Sequence, residues 1–118
     1  MLAKPEPGLG DVEIELDGRT HTLVPTWDAC QRISNRLGGI GGAIEACAKL
    51  QMEPMVEIIQ VGLGLNPQQA KKLPESVYKA GLIALQAPCI RFCRVIASGG
   101  RLPDEEVEDA PEDPPLPA

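Results

Sequence analysis

The side chains best suited to chemistry in this chain of 118 residues are four cysteines and one histidine. Cys89 and Cys93 stand four apart, a spacing that puts two thiols on one helix face. A structural zinc site needs about four ligands, so Cys30 and Cys47 would have to converge on that pair. No Cys-x-x-Cys pair is present. Small buried hydrophobes describe the four cysteines better. His21 could serve as a general base only with a nucleophile or a polarised water in reach. Ser34, Ser76 and Ser98 have no such motif around them. A partly covered structural imidazole is the expectation. Gly38-Gly39-Ile40-Gly41-Gly42 is not a phosphate loop, because no Lys-Ser/Thr follows it and no strand precedes it. It reads as a helix stop and a flexible joint. No catalytic residue, cofactor site or metal site emerges, so function is expected to lie in surfaces.

The elements that would carry those surfaces begin with residues 11–37. Val12, Ile14 and Leu16 alternate with Asp11, Glu13 and Glu15, giving one apolar and one acidic face. Asp17-Gly18 supplies the pair that tolerates positive φ at both central positions of a type I′ turn. A two-residue loop sets Ile14 opposite His21 and Val12 opposite Leu23. An isolated hairpin is marginal in water, so its apolar face needs a cover. The next helix is the nearest candidate. Thr26 is placed to cap it after Pro25. Trp27, Cys30, Ile33 and Leu37 form its stripe, and Gly38-Gly39 ends it.

Further along, a short helix is expected from about Gly42 to Leu50, with Ile40, Ile44 and Cys47 on one side. Pro54 can open a third helix. That helix is apolar around much of its girth, through Met55, Val56, Ile58, Ile59 and Val61. Such a helix is buried, in its own core or against a partner. Asn66-Pro67-Gln68-Gln69 has the form of a helix start, and Pro74 stops the helix soon after. Glu75 to Ser98 is the longest periodic segment. Its recurring side is Val77, Gly81, Leu82, Leu85, Cys89, Phe92, Cys93 and Ile96, and Pro88 should kink or divide it.

Hydrophobic content is 43%, enough for a core, and one Trp, one Tyr and one Phe make that core aliphatic. The net charge of −6 is concentrated at one end, since residues 101–118 hold seven acids against Arg101 alone. The first hundred residues balance ten acidic against ten basic side chains, which argues against nucleic acid as a partner. Residues 1–10 lack the apolar run of a signal peptide, and no stretch has the length of a membrane helix. The expected location is the cytoplasm, with reduced cysteines. Lys71, Lys72 and Lys79, and the pair Arg91 and Arg94, read as solvated helix faces or as docking points for acidic segments. Five prolines and seven acids leave the tail too polar for a packed core, so it is expected to be disordered. It either solubilises the chain or orders on a partner through Leu102, Val107 or Leu116.

A charged-apolar hairpin with Asp-Gly at its tip, an aromatic at the next helix start, a Gly-Gly break, a short helix and then MEPMVEIIQVGLG resemble the small tail proteins of gene transfer agents and siphophage-like tail clusters. The likeness covers residues 11–65, and beyond them 66–100 in helical character. Pro25, the cysteines and the long acidic tail depart from that pattern. The resemblance implies a non-enzymatic tail assembly chaperone. Such a protein binds the helical tape measure protein and helps recruit tail tube subunits.

The expected fold is α+β. Residues 1–10 form a flexible lead, 11–100 a hairpin packed on four or five helices, and 101–118 a disordered tail. The third helix and the kinked last helix would form the partner groove. Its contacts would be Met55, Val56, Ile58, Ile59, Leu82, Leu85 and Phe92, joined by Leu102 and Val107 from the tail. Tape measure and tail tube proteins are the expected partners, and self-association is open. A structural tail subunit and a small acidic adaptor unrelated to phage are the rival readings.

Overall fold

The computed structural model describes residues 10–101, and the readings made for the lead at 1–9 and for the tail at 102–118 lie outside them. Two antiparallel strands, β1 (Val12–Leu16) and β2 (Arg19–Leu23), precede five helices. These are α1 (Trp27–Leu37), α2 (Gly39–Ala48), α3 (Met52–Leu63), α4 (Leu73–Ala80) and α5 (Leu82–Ala97). The architecture is α+β, a two-stranded hairpin on a helical body.

Hairpin register follows from the turn. Asp17 (φ 54°) and Gly18 (φ 76°) take the two positive-φ positions of the loop. Val12 then pairs with Leu23 and Ile14 with His21. Val12, Ile14, Leu16 and Leu23 are buried, while Glu13 and Glu15 face out. The cover, however, is not α1. β1 lies against α4 and α5, and β2 lies against α3. The reason is visible at Gly62 on α3, where the hairpin comes closest. Its carbonyl accepts from the Val24 amide at 2.9 Å, and a Cβ there would stand 2.9 Å from Leu23 Cδ2. Only a glycine lets that helix approach so near.

Thr26 caps α1, its hydroxyl accepting from the Ala29 amide at 3.0 Å. Ala29 and Ile33 are the buried residues of this helix. Trp27 is not part of the buried stripe; at the first position of α1 it is 77% exposed. Gly38 closes α1 in the left-handed region and α2 starts at once on Gly39. The glycine-rich run is therefore a corner followed by helix, not a flexible joint. Cys47 and Ala48 expose their carbonyls at the end of α2, and Gln86 of α5 donates its Nε2 to both, at 3.1 and 3.2 Å. That bond pair gives the Ala48 carbonyl a donor and adds a second to the Cys47 carbonyl, which also accepts from the Leu50 amide at 3.0 Å.

Pro54 sits in the first turn of α3, two residues inside its start. Asn66 and Gln69 make the reciprocal capping bonds, 2.9 and 2.8 Å, yet only a single turn follows. The α-helix begins at Leu73, so Pro74 opens α4 where a stop was expected. Gly81 divides the long apolar segment. At φ 100°, ψ 122° it holds a backbone conformation foreign to other residues, and α4 and α5 meet there at 109°. Pro88 does not divide anything and lies inside a continuous α5.

α3 and α5 occupy the middle, between the hairpin and the α1–α2 pair. Met55, Ile58, Ile59, Val77, Phe92 and Val95 are fully enclosed, and no polar or charged side chain among the described residues is buried. No single described helix is long and apolar enough to cross a membrane.

Candidate docking groove

A wide opening in the surface lies between the hairpin tip and the α4–α5 elbow. It is a groove of about 680 Å³. One wall is the outer edge of the hairpin, with Glu13, Glu15, Asp17 and Thr20. The floor and opposite wall are Ala80, Ala84, Leu85 and Pro88, with Lys79 at one side. Sequence dictates each part. Strand alternation turns Glu13 and Glu15 away from the core that Ile14 enters. Ala84 and Pro88, four apart, share a face of α5, and their small size leaves the hollow. Pro88 has no N–H to offer the Ala84 carbonyl, so that floor carbonyl lacks its usual helical donor.

One contact ties the two walls together. The Ser76 hydroxyl donates to Asp17 Oδ2 at 2.8 Å, tying the hairpin tip to α4. Lys79 is drawn to Glu75 at 3.5 Å along the same helix, an exposed pair of small energetic weight. Glu13 and Glu15 form no ion pair among the described residues. Next in sequence to the lining residues are two large apolar side chains left in solvent, Tyr78 at 72% and Ile83 at 77% exposure. The groove thus combines an acidic rim with an apolar floor.

The partner surface expected on α3 and α5 is closed. Met55, Ile58, Ile59 and Phe92 face the chain's own core, since α3 packs on β2 and α5 as well as on α1 and α2, and Leu85 is buried at the groove floor. Apolar residues around the whole helix reflect neighbours on several sides of it. Val56 and Leu82 are half-buried. Val56 borders a shallow opening with Met52, Glu57 and Pro74. Leu102 and Val107 lie outside the described residues.

His21 is half-buried beside Leu16, Leu63 and Ser76 in a depression of about 300 Å³ on the side of the hairpin away from α5. Three of the four thiols do come together. Cys47 on α2 meets Cys89 and Cys93 on α5, all buried, and Cys30 stays apart and half-exposed. Cys89 and Cys93 share S–H hydrogen bonds with Cys47, and those bonds together with burial push both thiols up. Cys47 receives those bonds and is pulled down by them. Among the described residues, no group of three or more His, Cys, Asp and Glu is arranged to hold a metal ion.

Comparison with protein-family models, with curated proteins and with solved structures returned no match.

Proposed function

We propose that this chain is a non-enzymatic tail assembly chaperone of the phage type. It holds an amphipathic segment of a tape measure protein in the groove between hairpin tip and elbow, and yields it to tail tube subunits as the tail grows. One observation carries the reading: an apolar floor of Ala80, Ala84 and Pro88 lies under an acidic rim of Glu13 and Glu15, and Ile83, next in sequence to Ala84, is uncovered. A helix with a narrow apolar stripe flanked by lysine or arginine fits those features, since its stripe meets small residues and its charges meet free carboxylates. The resemblance of residues 11–65 to gene transfer agent tail proteins supports the same class. The partner face is the α4–α5 elbow with the hairpin tip, in place of a groove between α3 and α5.

The test is co-expression with the tape measure protein of the same tail gene cluster, followed by capture of the chaperone. Wild type should retain the tape measure protein in soluble form, and Ile83→Asp should release it while staying folded. Failure of the wild type to retain it would refute the proposal. So would finding the chain in ring stoichiometry in purified particles, which would make it a structural tail subunit.

A further inference from the structure

The corner between β2 and α1 holds a separate apolar depression of about 300 Å³. Its lining includes Pro25, Trp27, Cys30, Ile96, Gly99 and Gly100. Trp27 is the single tryptophan of the chain and shows 77% of its surface to solvent. Both ends of the described chain meet at this place. Gly10 is buried there, and a Cβ on it would collide with the Gly100 carbonyl oxygen and approach the Pro25 ring. Arg101, the residue after Gly100, is where the C-terminal segment departs.

That segment has a pattern suited to such a surface. Pro111, Pro114 and Pro117 recur every third residue, with Leu116 inside the run. A polyproline II helix has three residues per turn, so these three rings would line one edge. Proline-rich ligands of this kind dock on aromatic-lined grooves, where their stiffness keeps the entropy lost on binding small. Nine residues separate Arg101 from Pro111, a tether that can extend to roughly 30 Å and so does not restrict the approach. Tethering also raises the effective concentration to about millimolar, so a contact of only modest affinity is well populated. A separate protein with the same motif would lack that advantage.

We propose that the Pro25–Trp27–Cys30–Ile96 depression is a binding site for polyproline II peptide, and that its occupant is the chain's own segment Pro111–Pro117. The site is remote in sequence and lining from the elbow groove, and it stands whether or not the chaperone reading does. Docking would bring the acidic segment back along the body and cover the only exposed tryptophan.

Because Trp27 is the sole tryptophan, its fluorescence reports the site directly. Compare the full-length chain with a full-length triple variant, Pro111→Ser, Pro114→Ser and Pro117→Ser. The substitutions keep every charge and lie outside the described residues. The variant should emit at longer wavelength, and its acrylamide quenching constant should rise about twofold. A synthetic peptide of residues 102–118 at millimolar concentration should reverse both changes. Identical emission and quenching in the two proteins would overturn the proposal. Emission that shifts with wild-type protein concentration would overturn it too, assigning the depression to a second copy of the chain.

Discussion

α3 and the α4–α5 elbow make opposite uses of apolar residues. α3 carries Met55, Val56, Ile58, Ile59 and Val61 within seven positions, and all but the half-buried Val56 are enclosed by neighbours. The elbow is built from less greasy material, yet it leaves Tyr78 and Ile83 in solvent beside an open groove. A helix apolar on every side therefore reports how many elements surround it, whereas availability to a partner is decided by what the fold leaves uncovered.

The largest effect that could break this contrast is expected at Ile58. Ile58→Asp places a carboxylate in a fully enclosed site with no partner, at a cost of about 4 kcal/mol or more. Circular dichroism should show no cooperative melting at ordinary temperatures. A folded, stable Ile58→Asp protein would mean that α3 is not a core helix. Gly62→Val comes next, because the added side chain would be driven into Leu23 and Phe92. A loss of about 2–3 kcal/mol in urea unfolding is expected, and an unchanged midpoint would deny the close approach of α3 to the hairpin.

Gly81→Ala should cost about 1–2 kcal/mol, through backbone strain alone, since nothing stands within 4 Å of the added methyl. Weaker binding to a tape measure helix should accompany it as the elbow relaxes. Retained binding would separate groove function from the elbow angle. Ile83→Asp lies at the small end for stability, within about 0.5 kcal/mol of wild type, yet it should abolish partner capture. The thiols give a last check on what is sealed. In the folded protein one cysteine, Cys30, should react promptly with an aromatic disulfide reagent, and the other three should react only after denaturation. Prompt reaction of Cys89 or Cys93 would show that the α2–α5 seam opens.

Much of the fold is legible along the chain where the signal is local. The Asp17-Gly18 turn fixes the register, and Thr26 and Gly38 mark the ends of α1 through capping chemistry. Signals that depend on competition between neighbours were harder to read. Pro74 is ambiguous along the chain, because a proline one turn after a capping box is equally able to end one helix or open another. Pro88 drew the expected break away from Gly81. A proline costs a helix one hydrogen bond, which α5 tolerates at its groove-facing side, whereas positive φ at a glycine redirects the chain outright. The groove itself had only a faint trace, the exposed alternation of Glu13 and Glu15 and the Ala84/Pro88 spacing. Neither identifies a surface until the hairpin is seen packed on α4 and α5. Trp27 misleads because a spacing of three and four fits both the core stripe and an exposed position in the first turn of a helix.

Amide hydrogen exchange of the full chain, with and without a helical tape measure fragment bound, tests the central claim most directly. Protection should appear at residues 13–18 and 79–88, with α3 unchanged because its amides are already sealed. Protection confined to residues 52–63, or none at all in the presence of demonstrated binding, would contradict the assignment of the partner face to the elbow.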